Sequence, residues 1–140
     1  MLAAIAEVQL IKLPEFVRAR QALARSYDRQ IDEMNAGLGY QAYRPLTRSA
    51  GACPHMYIVM VDRKLDREQV AHRLTQEGIQ VQIHYKPVPF HRYWKYRAGV
   101  SAELPVCREA QDRVLSLPFY VGLDEASVRR VVAALKKAAG

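Results

Sequence analysis

Residues 56–61 have the sequence MYIVMV, a continuous apolar run that is rich in β-forming side chains. A short run of this kind predicts a β-strand that is covered on both faces, since a strand with one face in water alternates apolar and polar residues. We therefore expect this segment to be the central strand of a small sheet.

A helix is expected directly after this strand. Asp66 and Gln69 have the spacing of a capping box, in which side chains satisfy the first free N–H groups of a helix. Val70 and Leu74 then supply a buried stripe, and Gly78 offers the left-handed conformation that ends many helices. The pattern predicts a helix between Asp66 and Gly78.

The segment Ile79–Tyr85 alternates strictly between apolar and polar residues, which predicts a second strand with one core face and one polar face. The polar face carries Gln80, Gln82 and His84. Pro87 and Pro89 then break the pattern. The loop that follows holds five aromatic or imidazole side chains, which we expect to pack onto their own domain: Phe90, His91, Tyr93, Trp94 and Tyr96.

Two more helices are expected towards the C-terminus. The spacing of Leu104, Cys107, Gln111 and Val114 predicts a helix that ends before Pro118. Asp124 is the expected cap of a last helix, whose apolar residues recur at helical spacing as Val128, Val131, Val132 and Leu135.

The N-terminal region predicts a bent helical arm. Residues 2–13 (LAAIAEVQLIKL) form one helical pattern, and Pro14 suits the first turn of a second helix that ends near Asn35 and Gly37. No capping residue precedes the first helix, as expected of a fragment. Residues 38–53 are expected to be mostly loop, with a possible short strand at Tyr40–Arg44.

These elements together predict an α+β fold: a helical arm followed by a small, mainly antiparallel sheet packed with helices. A chain of 140 residues can bury one sizeable core, and it lacks both a long apolar run and a signal sequence. A soluble, cytoplasmic protein is therefore expected. Cys53 and Cys107 lie far apart and are expected to be free thiols.

The formal net charge of +7 raises the alternative of a stand-alone basic module that binds nucleic acid or another anionic partner. The basic residues are scattered, however, and residues 1–35 balance five basic with five acidic side chains. Charge without a motif is more often a solvated surface, so nucleic acid is not the expected partner.

Five segments, in order, resemble the C-terminal part of the DegT/DnrJ/StrS-type nucleotide-sugar aminotransferases. They are residues 2–13, 18–28 (RARQALARSYD), 55–61 (HMYIVMV), 78–89 (GIQVQIHYKPVP) and 104–123 (LPVCREAQDRVLSLPFYVGL). The most specific features are a Gly-Ile strand that leads into His-Tyr-x-Pro and a helix that leads into Leu-Ser-Leu-Pro. The resemblance covers essentially the whole chain.

This resemblance implies the C-terminal small domain of a homodimeric fold-type-I enzyme. Such an enzyme holds pyridoxal phosphate (PLP) on a lysine and transfers the amino group of glutamate to a nucleotide-linked ketosugar. None of the six lysines here has the family's Schiff-base context, so no catalytic and no cofactor-binding residue is expected in this chain. The implied division is a helical arm, residues 1–35, that links to a missing PLP-binding domain, and a small domain, residues 36–140.

Four residues are candidates for substrate binding. His84 and Tyr85 stand at a predicted strand end that leads into a Pro-broken loop, where substrate contacts tend to lie. His91 and Tyr93 could shape a nucleotide or sugar pocket by stacking. The alternatives are a His84 that satisfies a backbone group and a Tyr85 in the core. A metal site is not expected, because His84, His91 and Cys107 match no zinc spacing.

Overall fold

The computed structural model describes residues 2–97 and 104–140. The helices are α1 (Leu2–Leu38), α2 (Arg67–Gln76), α3 (Arg92–Arg97), α4 (Pro105–Arg113) and α5 (Glu125–Ala139), with a short 3-10 turn at Val88–Phe90. The strands are β1 (Tyr43–Pro45), β2 (Tyr57–Val61) and β3 (Val114–Leu117). None of the helices in this described part combines the length and apolar character that a membrane crossing requires.

The three strands form an antiparallel sheet in the order β1-β2-β3, so the predicted central strand is confirmed. Tyr57, Val59 and Val61 are fully buried on the inner face of β2. Ile58 and Met60 on its outer face are only half-buried. The strand is therefore well covered on one face only, and the prediction of two covered faces is wrong for the outer one.

The core lies between the inner face of the sheet and three helices. The C-terminal half of α1 contributes Tyr27 and Ile31, and α2 contributes Leu74. Helix α5 packs against both α1 and α2, with Val128 and Leu135 fully buried. This arrangement confirms the predicted α+β class and the predicted inward face of α5.

Helix α2 begins and ends as its sequence predicts. The Asp66 carboxylate accepts hydrogen bonds from the backbone N–H groups of Glu68 and Gln69. Gly78 adopts a φ of 75° and donates to the Thr75 carbonyl, while Ile79 donates to the Leu74 carbonyl. These two bonds form a Schellman motif, in which a residue without a side chain takes the left-handed position at least cost.

Helix α1 runs through Pro14 without a break, so the prediction of two helices separated there is wrong. A proline inside a helix removes one backbone hydrogen bond, to the carbonyl of Leu10. Residues 3–15 are exposed, so that carbonyl remains open to water. Solvation makes the lost bond tolerable, and good helix formers on both sides continue the helix.

Three further predictions need correction. The first strand is Tyr43–Pro45 rather than Tyr40–Arg44, and Ile79–Tyr85 forms no strand but a single antiparallel bridge between Gln82 and Ser116. The helix expected to continue to Val114 ends at Arg113, where β3 begins and pairs with β2. Cys107, one of the residues whose spacing predicted this helix, is exposed. In each case pairing with β2 or β3, which sequence periodicity does not encode, decides the outcome.

Candidate functional site

A cavity of about 520 Å³ lies beside the C-terminal end of β3. Its walls are formed by residues 78–84, by residues 116–123, and by Ser127, Arg130 and Val131 on α5. His55 and Met56, just before β2, complete the lining. Both polar and apolar groups line this cavity, which is typical of sites for small polar ligands.

The polar side chains predicted on one face of residues 79–85 do line this cavity together: Gln80, Gln82 and His84. They remain on one side because the backbone of Gln82 pairs with Ser116 in both directions, at 3.1 Å and 2.8 Å. The segment therefore keeps the alternating geometry of a strand although it forms only one bridge. The core side of the alternation is buried only at its beginning, at Ile79.

His84 is held from two sides. Its Nδ1 lies 2.9 Å from the Oγ of Ser116, a residue that is only 7% exposed. The ring of Tyr85 contacts the His84 ring edge to face, with centroids 4.8 Å apart. Tyr85 itself is 75% exposed, so the alternative of a core position for Tyr85 is wrong. The alternative in which His84 satisfies a backbone group also fails, because its described partner is a side chain.

His91 and Tyr93 lie outside the lining of the cavity. The Nε2 of His91 donates to the Lys86 carbonyl at 3.0 Å. Tyr93 meets Trp94 edge to face and is 62% exposed. Trp94 and Tyr96 are exposed as well, so the prediction that these aromatic side chains pack onto their own domain is wrong. The structure thus joins His84 with Tyr85 and Tyr93 with Trp94, but does not bring the two pairs into one cavity.

Sequence reasoning missed several polar residues of the cavity, among them Ser116 and Arg130. A serine between two leucines in the run LSLP is a signal for Ser116, since a buried hydroxyl needs a partner. Arg130 lies on the exposed side of the α5 pattern and carries no such signal. Its Nη2 donates to the carbonyl of Glu77 at 2.6 Å, which fixes the guanidinium at the end of α2.

The electrostatic character of the cavity is that of a donor-rich pocket. Arg130 supplies a permanent positive charge, and serine, glutamine and histidine side chains supply further donors. No aspartate or glutamate is among the described residues that line it. Such a lining favours ligands rich in acceptor oxygens, such as sugars and phosphates.

Some of the basic side chains outside the cavity form ion pairs with carboxylates. Examples are Arg29 with Glu125 at 2.8 Å and Lys137 with Glu77 at 3.0 Å. Arg63 and Arg113 both bind Glu109 and thereby lower the pKa of its carboxyl group. These pairs neutralise part of the positive charge locally.

The two cysteines, Cys53 and Cys107, are exposed free thiols. Within residues 2–97 and 104–140 no group of three or more His, Cys, Asp or Glu side chains is placed to hold a metal ion.

Comparison with solved structures defines the class of this fold. An aminotransferase, TlmJ, from Streptoalloteichus hindustanus matches 97% of this chain with a TM-score of 0.80 and 27% identity, over 35% of its own length. PseC from Helicobacter pylori, an aminotransferase involved in the biosynthesis of pseudoaminic acid, matches 96% of this chain with a TM-score of 0.84 and 23% identity, over 36% of its length. At 23% identity, the match to PseC shows a shared fold and nothing more. The fold is that of about one third of an aminotransferase.

Sequence comparison narrows the class to a family. The profile of the DegT/DnrJ/EryC1/StrS aminotransferase family matches residues 1–136. A dTDP-4-dehydro-2,3,6-trideoxy-D-glucose 4-aminotransferase from Saccharopolyspora spinosa is 35% identical over 139 residues, which are 99% of this chain and 34% of that protein. The chain belongs to the DegT/DnrJ/EryC1/StrS aminotransferase family, and it spans about a third of the length of the relatives it matches.

Proposed function

We propose that this chain is the C-terminal part of a sugar aminotransferase. The complete protein would transfer an amino group from glutamate, through PLP, to a nucleotide-linked ketosugar. The observation that carries this proposal is the match of almost the whole chain to one third of a dTDP-sugar 4-aminotransferase. The donor-rich cavity without a carboxylate supports it, because a sugar nucleotide presents hydroxyl, carbonyl and phosphate oxygens.

The residues described do not fit a complete PLP site. PLP enzymes need a lysine amine for the Schiff base and a carboxylate beside the pyridine nitrogen. Among the described residues, the cavity lining contains neither a lysine nor a carboxylate. Lys86, the lysine nearest in sequence to His84, is outside that lining. The chain would therefore contribute one wall of the substrate site, while the lysine comes from the rest of the polypeptide.

We assign a role in substrate binding to His84 on that wall and to Tyr85, His91 and Tyr93, which lie outside the lining of the cavity. His84 is placed to hydrogen-bond an oxygen of a ligand in the cavity. The exposed rings of Tyr85 and Tyr93 offer faces on which a sugar or a base could stack. His91 would act as a support, since its bond to the Lys86 carbonyl holds the turn that carries these rings.

The exposed start of α1 is the surface that we assign to the missing part of the enzyme. Five large apolar side chains between residues 5 and 13 are each at least 48% exposed: Ile5, Val8, Leu10, Ile11 and Leu13. With a rotation of about 100° per residue they surround the helix. A helix that is apolar all round is normally buried. This supports a helical arm, within residues 1–35, whose exposed start reaches into a PLP-binding domain. From Ala24 onward the same helix packs in the core of the small domain, residues 36–140. We place the complete protein in the cytoplasm as a homo-oligomer.

The first experiment tests whether the chain alone can hold the cofactor. The purified chain is mixed with PLP, reduced with borohydride and digested for mass spectrometry. We expect no stoichiometric adduct, because no lysine is among the described residues that line the cavity. A stoichiometric adduct on a unique lysine would contradict the proposal.

The second experiment tests the proposed role directly. In a chimera, this chain replaces the C-terminal third of the Saccharopolyspora spinosa relative, and the relative's own amination is assayed with glutamate. We expect measurable transamination and a loss of activity in His84→Gln. The matched control is His72→Gln, which changes an exposed histidine on α2. A chimera that folds and binds PLP but never aminates the sugar would refute the assignment.

A further inference from the structure

Ser116 is a buried polar residue in an otherwise apolar strand. It lies between Leu115, which is fully buried, and Leu117, which is 5% exposed. A hydroxyl buried in this way costs free energy unless it finds a hydrogen-bonding partner. Among the described residues, the partner of its Oγ is the Nδ1 of His84 at 2.9 Å. The serine is therefore placed to act on that one side chain.

The backbone of Ser116 also binds the segment that carries His84. Its carbonyl accepts from the N–H of Gln82, and its own N–H donates to the Gln82 carbonyl. Backbone and side chain thus fix positions 82 and 84 from a single residue of β3. Because β3 pairs with the central strand, this anchor is part of the rigid sheet.

The bond to Nδ1 decides which edge of the imidazole faces the cavity. A histidine ring has two nitrogens on opposite sides, and the partner of one sets the role of the other. Both Ser116 and His84 line the cavity, and no described residue bonds Nε2. Nε2 is therefore the nitrogen left for a ligand, because the serine bond holds the ring with Nδ1 on the side of β3.

We infer that Ser116 is a positioning residue that fixes the orientation of the His84 ring, so that Nε2 is presented to the substrate. The inference rests on the proposed function in one respect, the contact of His84 with the substrate. The chemistry of the ligand group follows: an oxygen of the sugar or of the phosphates, within hydrogen-bonding reach of Nε2.

The test is an NMR measurement of the ring nitrogens in this chain, with ¹⁵N-labelled histidine and no ligand. The pH is the same for all variants. In the wild type we expect the ring-nitrogen shifts of His84 to carry the effect of the hydrogen bond to Ser116, which is largest at Nδ1. In Ser116→Ala we expect them to move towards the shifts of the exposed His72, which serves as an internal reference.

Three further variants serve as controls for this measurement. Ser116→Thr retains the hydroxyl and should retain the wild-type shifts. Ser116→Cys retains the size with a weak donor and should resemble Ser116→Ala, which separates loss of the bond from loss of packing. Ser127→Ala removes the other serine of the cavity and should leave His84 unchanged. Assignment of the His84 signals follows from their loss in His84→Gln.

The inference is overturned if the ring signals of Ser116→Ala superimpose on those of the wild type, or if Ser116→Thr shifts them as far as alanine does. In the chimera, Ser116→Ala should lower activity, and it should add nothing to His84→Gln because both act through one ring. An inactive chimera with a fixed His84 ring would refute the proposed function and leave the positioning role standing. If the activity losses of Ser116→Ala and His84→Gln add up in the double variant, Ser116 does not act through His84, and the positioning role is refuted.

Discussion

Tyr57 connects the middle strand to α1 through a carboxylate. Its hydroxyl donates to Asp28 Oδ1 at 2.7 Å, and its ring stacks on Tyr27 with centroids 4.6 Å apart. Arg48 binds the other oxygen of Asp28 and lies over the Tyr57 ring. Strand, helix and loop are thus tied at a single point.

Replacement of Tyr57 by Phe removes this bond but keeps the ring. Hydrogen bonds to charged groups contribute about 1.5 to 3 kcal/mol, so we expect the free energy of unfolding to fall by roughly that amount. Urea unfolding followed by circular dichroism measures it. The control is Tyr120→Phe, which alters a ring that is 56% exposed and should change little. Equal stability of both variants would show that the Asp28 bond contributes nothing.

Buried phenols also predict a dependence on alkaline pH. Burial raises the pKa of Tyr27, Tyr43 and Tyr57, and for Tyr57 the hydrogen bond to Asp28 adds to the rise. An acid whose folded pKa is raised stabilises the fold below its unfolded pKa, which for tyrosine is about 10. We therefore expect stability to decrease as the pH rises past about 10. Urea unfolding from neutral to alkaline pH measures this, and a flat profile would contradict it.

At the residue scale, the sequence predicts a good part of the cavity wall. The alternation from Ile79 to Tyr85 places Gln80, Gln82 and His84 on one side, and they do line one cavity. It does not predict Ser116 as their anchor, because the bridge joins residues that are far apart in the chain. The sequence did not predict that Tyr93 and Trp94 are exposed, because we expected these aromatic side chains to pack onto their own domain.

At the element scale, local signals were sufficient for α2. Its cap, its stripe and its terminal glycine all follow from neighbouring residues. Replacement of Asp66 by Ala removes the cap and should lower the free energy of unfolding by about 1 kcal/mol. Thermal unfolding measures the loss. The matched control is Asp66→Asn, which keeps a capping oxygen and should lose much less; an equal loss would mean that the negative charge, rather than the cap, matters.

Elements that depend on pairing were less predictable. The short strand β3 continues directly from α4, and its four residues also fit a helical spacing. The segment is a strand because it forms antiparallel hydrogen bonds with β2. Conversely, Ile79–Tyr85 has the alternation of a strand but makes one bridge. Short segments carry too little periodicity to choose, so partners distant in sequence determine their structure.

At the scale of the whole molecule, the α+β class and the family were predictable because ordered motifs cover the entire chain. The extent of the exposed apolar surface on α1 could not be predicted. The core needs only the C-terminal half of α1, from Ala24 onward, whereas residues 3–15 contribute no buried side chain. The C-terminal half of α1 therefore belongs to the core of the small domain, whereas its exposed apolar start forms an arm that does not contribute to that core.

That arm predicts self-association of the chain when it is purified alone. Exposed apolar area favours association by about 25 cal/mol per Å² removed from water, and Leu10 and Ile11 are 66% and 75% exposed. We expect the sedimentation coefficient to rise with protein concentration. The double variant Ile5→Glu, Ile11→Glu should suppress the rise, while Val106→Glu, at an equally exposed site on α4, should not. A monomer at every concentration, or equal suppression by Val106→Glu, would show that the arm is not the associating surface.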